Sequence, residues 1–300
     1  MSGSSGGKQI TRYGVESTPN TIATTWQVLP FTTNGLDEKP STTESKTIHD
    51  SRIGSGTLAT GSDIAGDIET EFVYGEQDPL LEAVAYNAWT NDVLTFGGST
   101  AKTLSIIKGF TDKAIYEVFT GCYANSWKLT IPESGIVTST FSIMGMKRVG
   151  QSTLPTGTVT AAGNATQFTT LSAGAIKFDG AAITACATQL EVTFDNSAQV
   201  QKCINFDDNI DGIIENQMKI SGTVTLAWDA SSADLYEKQF NNTPVSLEWT
   251  LKDNLGNQYV LNFPQVTLSA PLPSGSSTDI LSTQFTFTVQ YEAPTLTRIP

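Results

Sequence analysis

Hydrophobic and polar residues alternate along much of this chain, and the alternation predicts β-strands. Residues 136–143 and 284–291 alternate apolar side chains with Thr, Ser or Gln. A period of two places one face of a strand in a core and the other face in water. By the same criterion, further strands are predicted at residues 68–74, 116–122, 190–194, 219–228, 245–251 and 259–264.

Two short helices are predicted between these strands. Asp78 followed by Pro79 indicates a helix start, with Asp78 as the N-cap and Pro79 at the first helical position, and the helix runs towards Trp89. Residues 233–240 have a similar helical pattern in the second half. Each half should therefore contain one helix packed on antiparallel strands.

The two halves also resemble each other. Residues 66–78 match residues 222–234, and Gly66 and Gly222, which open these segments, are 156 positions apart. Residues 104–116 match residues 247–259 at an offset of 143. The pattern predicts a mainly β protein with two tandem domains that arose by internal duplication. Such pseudo-symmetry suits a ring-forming protein better than it suits most enzymes.

Changes in composition along the sequence predict that the chain is divided into five parts. A Thr-, Ala- and Gly-rich stretch after residue 150 is the best candidate for a boundary between the two copies. The predicted parts are an N-terminal arm at 1–44, a first domain at 45–150, a linker at 151–173, a second domain at 174–292 and a C-terminal tail at 293–300.

The predicted arm carries isolated apolar side chains in a polar segment. They are Trp26, Val28, Leu29 and Phe31. A flexible leader is one interpretation, but this cluster is too apolar to remain in water. We predict that it docks on its own domain or on a neighbouring subunit, and we assign the four residues to an inter-subunit arm.

Composition and charge exclude several classes of function. The chain has 300 residues, a net charge of −13 and a charged fraction of 16%. This acidity argues against a conventional nucleic-acid-binding surface, which needs Lys and Arg. Three cysteines without a short paired spacing indicate neither a disulfide framework nor a zinc site. No signal sequence or membrane-spanning segment is predicted, so we expect a cytoplasm-like compartment and no membrane insertion.

Candidate catalytic and metal-binding residues are few. His49, the single histidine, precedes Asp50, but no G-x-S-x-G nucleophile motif accompanies the pair. Residues 207–212 include acidic and amide side chains at calcium-loop spacing, yet Met218 stands where a calcium loop has Glu. We therefore predict a plain acidic turn, with no catalytic residue, no metal and no cofactor.

Short segments in a characteristic order carry a family resemblance, although none of them is specific by itself. In chain order they are residues 80–83, 109–112, 119–122, 136–141, 193–196, 220–224, 235–240, 253–259 and 285–287. Over residues 15–292, their order and spacing resemble those of the major tail tube proteins of phages with long, non-contractile tails (siphophages).

This resemblance implies a fold and a structural function. It implies β-sandwich or β-barrel tube domains whose inner sheets join around a ring, and rings that stack into a hollow conduit for DNA ejection. It implies no catalytic residue and no cofactor. Related one-domain proteins form hexameric rings, so two domains in one chain predict a trimeric, pseudo-hexameric ring, with a hexamer as the alternative.

The resemblance also implies partners and a location. The expected partners are copies of the chain itself, the tape measure protein, the tail terminator, and the distal tail or baseplate proteins. Double-stranded DNA would pass through transiently and without sequence specificity. The expected location is the tail of the virion, after assembly in the cytoplasm of the host bacterium.

The alternative is a tandem β-sandwich adhesin or carbohydrate-binding module. It predicts a secreted monomer with a row of exposed aromatic side chains. Trp89, Trp127, Trp228 and Trp249 are the candidates for such a row. Because each lies in an apolar strand-like or helical pattern, we expect packing in a core or an interface instead.

Overall fold

The computed structural model describes residues 3–50, 52–163, 165–204 and 210–300. The protein is mainly β, with 51% of its residues in strands and 9% in helices. The β-rich class predicted from the alternating pattern is therefore confirmed.

Along the sequence, the strands of the first half come before and after helix α1, which spans Asp78–Ala85. They are β1 Gln9–Val15, β2 Thr25–Val28, β3 Thr33–Asn34, β4 Asp37–Glu44, β5 Thr57–Glu71, β6 Val93–Thr95, β7 Leu104–Phe110, β8 Ile115–Ile131, β9 Thr138–Gly145 and β10 Lys147–Gln151.

Short elements connect the halves, and the second half has its own helix, α2, at Ala230–Lys238. The connecting strands are β11 Thr158–Thr160, β12 Lys177–Phe178 and β13 Ala181–Ala182. The later strands are β14 Ala187–Asp195, β15 Gln199–Lys202, β16 Ile210–Ile214, β17 Lys219–Ala227, β18 Val245–Lys252, β19 Gln258–Ser269, β20 Ser282–Val289 and β21 Thr295–Ile299. Single 3-10 turns occur at Gly6–Lys8, Thr170–Ser172 and Gln239–Asn241.

Helix α1 begins one residue earlier than the sequence predicts. Its N-cap is Gln77, and Asp78 lies in the first turn together with Pro79. The prediction of Asp78 as N-cap is therefore wrong by one position. The reason is that two distant side chains bind the Asp78 carboxylate, which leaves it unavailable for capping.

Helix α2 begins three residues before the predicted segment. Asp229 caps it by accepting a hydrogen bond from the Ser232 backbone N–H at 3.0 Å, and the Ser232 hydroxyl accepts from the Asp229 N–H at 2.8 Å. This reciprocal arrangement is a capping box in which Ser takes the place of the usual Glu or Gln. It satisfies two backbone donors at the helix start.

Each half contains a four-strand unit with the same order. In the first, β5 pairs with β9, β9 with β8, and β8 with β7. In the second, β17 pairs with β20, β20 with β19, and β19 with β18. A helix follows the first strand of each unit, and β10 and β21 pair with corresponding parts of β8 and β19. The match in sequence thus extends to strand topology.

The two units join edge to edge within the chain. Strand β14 pairs with β17 on one side and with residues 126–131 of β8 on the other. An antiparallel central sheet of eight strands results, in the order β4, β5, β9, β8, β14, β17, β20, β19. Strand β3 continues the β4 edge by pairing with β5.

A second sheet contains β1 and β2 of the predicted N-terminal arm, whose later strands β3 and β4 belong to the central sheet. The order of this second sheet is β10, β8, β7, β1, β2, β11, and β1 pairs with β7 along its whole length. At the other end of the chain, residues 293–300 include β21, which lies between β19 and β6. The division into five parts stays a prediction.

One hydrophobic core contains side chains from both halves. Phe194 of the second half stacks on Phe96 and Trp127 of the first, with ring centroids 4.1 Å and 5.1 Å apart. All three side chains are buried. Because burying a large apolar side chain contributes about 1.5–3 kcal/mol, neither half would retain its full stability without the other.

Candidate assembly surfaces

One face of the central sheet carries short polar side chains, and the opposite face packs on the core. In β9, Ser139, Phe141 and Ile143 are buried, and the side chains between them are half-exposed. Strand β20 repeats the pattern, with Phe285 and Phe287 buried and the intervening threonines exposed. The alternation gives the sheet one packed face and one open face.

The strand registers align the open face from edge to edge. Thr140 lies opposite Glu69 on one side and Lys128 on the other. Across the joint between the halves, Lys128 lies opposite Thr193. The same pairings continue into a row across the sheet: Thr33, Glu69, Thr140, Lys128, Thr193, Ser221, Thr288 and Thr267. Six of these eight residues are Thr or Ser, so the face presents mainly hydroxyl groups.

The charged groups on this open face are mostly acidic. They are Asp37, Lys39, Asp63, Asp67, Glu69, Glu71, Lys128, Glu191, Asp195 and Lys219. Seven acids and three lysines give the face a net charge of −4. Lys128 and Glu191 form an ion pair within the face, and Lys202 of β15, which is not in the central sheet, pairs with Asp63. The remaining field repels phosphate.

The central sheet has an open edge at each end. In the described part of the chain, β4 pairs only with β5. At the far end, β18 accompanies β19 only as far as Val245, opposite Val266. Residues 270–281, which follow β19, expose Leu272 and Ile280. Unpaired strand edges are templates for pairing with another chain.

The four residues assigned to the arm lie in and after β2. Trp26 is buried against Ile107, Tyr116 and Val118, and Leu29 is buried in the main core. Val28 and Phe31 are half-buried. The cluster therefore docks on its own chain, which is one of the two arrangements that the sequence allows. Contact of these residues with a neighbouring subunit stays a prediction.

The comparison with protein families decides the class of the protein. A sequence profile described as phage tail tube protein matches residues 6–289. The chain belongs to the phage tail tube protein family. The comparison with curated proteins found no match. Members of this family are structural components of the virion tail and do not form a class of enzymes.

An ionic network holds the last strand of this tail tube protein against its first helix. The Tyr259 hydroxyl and the Arg298 guanidinium both donate to the Asp78 carboxylate. Arg298 also donates to Asp92 at 2.8 Å, and its guanidinium carbon lies 4.3 Å from the centre of the Trp89 ring. Burial and the Asp78 charge raise the pKa of the Tyr259 hydroxyl well above its usual value, so it remains a donor.

The sequence does not reveal this network, because its members are far apart along the chain. Asp78 and Arg298 are separated by 220 positions, and Arg298 lies in the segment predicted to be a tail. The arrangement joins α1 to β19 and β21.

Equivalent glycines allow close strand contacts in both halves. A Cβ atom on Gly66 would lie 2.3 Å from the carbonyl oxygen of Gly35, and one on Gly222 would lie 2.2 Å from that of Glu191. Both distances are shorter than any tolerated contact. Gly35 lies just before β4, which pairs with β5, and Glu191 lies in β14, which pairs with β17. The two strand pairs therefore make the same close approach at equivalent glycines. This supports the equivalence of β4 and β14.

The sequence candidates for catalysis and metal binding do not form a cluster. His49 and Asp50 are exposed in the loop between β4 and β5. Of the predicted acidic turn at 207–212, residues 207–209 lie outside the described residues, and 210–212 belong to β16. No group of three potential metal ligands occurs among the described residues, and no described helix is long and apolar enough to cross a membrane.

The tryptophans proposed for a carbohydrate platform are not exposed in a row. Trp127 and Trp249 are buried in the core, and Trp89 and Trp228 are half-buried. Trp127 stacks on Phe96 and its indole N–H donates to the Ser139 hydroxyl at 2.7 Å. These four side chains therefore pack within the tail tube protein and offer no stacking platform for a sugar.

Proposed function

We propose that this chain is the major tail tube subunit of a phage with a long, non-contractile tail. Copies of it would close into rings, and the rings would stack into the conduit through which DNA is ejected. The observation that carries this proposal is the eight-strand central sheet, which has one polar face and an open edge at each end. A sheet of this kind is completed by other copies of itself.

Three chains would complete one ring. We propose that the strand units are two tube domains, at residues 45–150 and 174–292, which arose by duplication, so three chains supply six domains. The matching strand orders support this duplication. Strands β4 and β21, which lie outside those boundaries, complete the two units. The arm at 1–44 and the linker at 151–173 would bridge neighbouring domains.

The width of such a ring supports three chains. Eight strands from each chain make 24, and at about 4.8 Å per strand with a tilt near 40° they close into a barrel about 50 Å across. Inward side chains reduce this to roughly 40 Å, which is wider than a hydrated DNA duplex. Two chains would leave roughly 20 Å, which is no more than the width of the bare duplex.

The polar face of the central sheet would line the lumen. Its hydroxyl groups offer DNA no sequence-specific contact, and its net charge of −4 per chain repels phosphate. At about 0.15 M salt the screening length is roughly 8 Å, so the repulsion acts only near the wall. DNA would therefore slide without a binding minimum.

The remaining contacts of the tube follow from this role. The tape measure protein would occupy the lumen during assembly in the host cytoplasm. The terminator would close one end of the tube, and distal tail or baseplate proteins would close the other. DNA would contact the wall only in passing.

Electron microscopy of the purified chain tests the proposal. Concentrated protein should form hollow rods, and mass per unit length together with rotational averaging should give three chains per ring. Rods with six chains per ring would contradict the trimer. A chain that remains monomeric at high concentration would contradict the tube itself and would favour a binding module.

A further inference from the structure

The joint between the two halves provides a template for a joint between chains. Within the chain, residues 126–131 of β8 pair with residues 190–195 of β14. Strands β8 and β19 are equivalent, and so are β4 and β14. The corresponding segments at the two ends of the central sheet can therefore be located by register, and both lie on open edges.

The register of β19 locates the first segment. Lys128 lies opposite Thr140, which in turn lies opposite Glu69. In the second half, Thr225, 156 positions after Glu69, lies opposite Gln284. Extension of the β20–β19 register, in which Thr288 lies opposite Thr267, places residue 271 opposite Gln284. Residues 126–131 of the first half thus correspond to residues 269–274.

The register of β4 locates the second segment. Val192 of β14 lies opposite Gly222. Gly66 is the equivalent of Gly222, and the register that pairs Asp37 with Ala65 places Leu36 opposite Gly66. Residues 190–195 therefore correspond to residues 34–39.

An exposed leucine marks the incomplete edge. Leu129 is fully buried at the internal joint, opposite Val192. Its equivalent, Leu272, is 60% exposed, although the equivalent of Val192, Leu36, is already buried. Pairing the two segments would place Leu272 opposite Leu36, beside the core. The exposure of Leu272 in the single chain follows from the absence of this neighbour.

The prolines near Leu272 do not block pairing at the open edge. The Thr283 hydroxyl of β20 donates to the carbonyl of Pro271 at 2.7 Å, so the backbone groups of Pro271 face β20. In an extended chain the next residue faces the other way. The N–H and C=O of Leu272 therefore point to the open edge, and no bond to either is found among the described residues.

Side chains cap other backbone groups on these edges. The Ala270 N–H donates to the Gln239 side chain at 3.1 Å. The Leu36 N–H donates to the Asn34 side chain at 3.0 Å, and the Leu36 carbonyl accepts from Lys108 at 3.0 Å. At the internal joint, a paired strand stands where these capping side chains stand at the open edges. Flexible side chains can be exchanged for a strand at little net cost in hydrogen bonds.

We propose that residues 269–274 of one chain pair antiparallel with residues 34–39 of a second copy, with Leu272 opposite Leu36 and Ser269 opposite Lys39. The proposal rests on the proposed tube and specifies its lateral joint. Each chain offers one segment at each end of its central sheet, so the contact is heterologous and propagates around a ring.

A disulfide pair tests the register. In chains with Cys186→Ser and Cys203→Ser, Lys39→Cys and Ser269→Cys should form an inter-chain disulfide when a mild thiol oxidant such as diamide is added, since directly opposite Cα atoms lie about 4.5–5.5 Å apart. Six strands separate the two positions within one chain, so an intra-chain bond is excluded. The matched control combines Ser269→Cys with Ser41→Cys, which is two residues out of register.

The expected result is covalent dimers and trimers from assembled tubes, formed on the order of tenfold faster than in the control, because the diagonal spacing of about 7–8 Å exceeds disulfide reach. Equal rates in normal tubes, or faster reaction of the control, would overturn the register. Failure of the Cys-replaced parent to form tubes would contradict the proposed function instead.

A charge substitution covers the case in which the cysteine variants fail to assemble. Leu272→Asp should leave the single chain folded, since the side chain is exposed, yet abolish tube formation. Leu255→Asp, at a residue 69% exposed in the turn between β18 and β19, is the matched control and should assemble normally. Normal tubes from Leu272→Asp would overturn the proposed joint.

Discussion

At the scale of single residues, Asp78 determines how the end of the chain is fixed to its first helix. Its carboxylate accepts hydrogen bonds from Tyr259 and Arg298, and the same arginine also pairs with Asp92. Removing one partner from such a network leaves a buried acceptor without its donor. The cost is then larger than the net contribution of an ordinary hydrogen bond.

Tyr259→Phe should therefore lower the free energy of unfolding by about 1–3 kcal/mol, because Asp78 loses a buried donor while the aromatic packing is retained. Urea unfolding followed by tryptophan fluorescence measures the change. Tyr291→Phe removes a hydroxyl from a side chain that is 97% exposed and should leave stability unchanged. Equal effects of the two substitutions would argue against a structural role for the network.

At the scale of strands and helices, the first strand of each unit needs a glycine at the same position. Gly66 and Gly222 allow the neighbouring strand to approach closely, and a methyl group would meet backbone atoms in both places. Backbone atoms cannot move aside as a flexible side chain can. The two glycines therefore fix the spacing at both equivalent strand pairs.

Gly66→Ala and Gly222→Ala should each destabilise the chain by about 1–3 kcal/mol, as overpacking does in well-packed sites. Gly212→Ala, in β16, adds a methyl group with no atom within 4 Å and should be nearly neutral. Thermal unfolding of the three variants gives the comparison. If all three behaved alike, the close approach would not explain the matched glycines.

The alternating pattern predicted most strands of the central sheet because each has one buried and one open face. It did not predict β21, because Thr295–Ile299 is short and becomes a strand only between β19 and β6. The arm was recognised by its apolar residues, but periodicity does not reveal that Trp26 packs on Tyr116. The segment proposed for the edge joint, residues 269–274, is also not predicted as a strand, because Pro271 and Pro273 interrupt the alternating pattern.

At the scale of the whole molecule, the charge of the open face should control the movement of DNA. Asp67→Lys with Glu71→Lys would bring its net charge from −4 to zero. Both side chains point away from the core, so tubes should still form. Phage carrying the variant should eject DNA more slowly, because each new lysine releases counterions from phosphate.

The matched control reverses the same number of charges elsewhere. The control variant combines Asp234→Lys with Glu237→Lys. Both residues are exposed on α2, away from the open face. This variant should eject DNA at the normal rate, whereas the open-face variant should recover speed as salt is raised. Ejection equally slow in both variants would assign the effect to net charge and not to the lumen.

The covalent link between the two units has a consequence for assembly in dilute solution. In the proposed ring, the three joints between β8 and β14 form within a chain, where the linker holds both partners at a high effective concentration. Only three joints then require a diffusional encounter and its loss of translational and rotational freedom. Six separate one-domain subunits would need six. A duplicated subunit should therefore close its rings at lower protein concentrations, early in infection when few copies have been made.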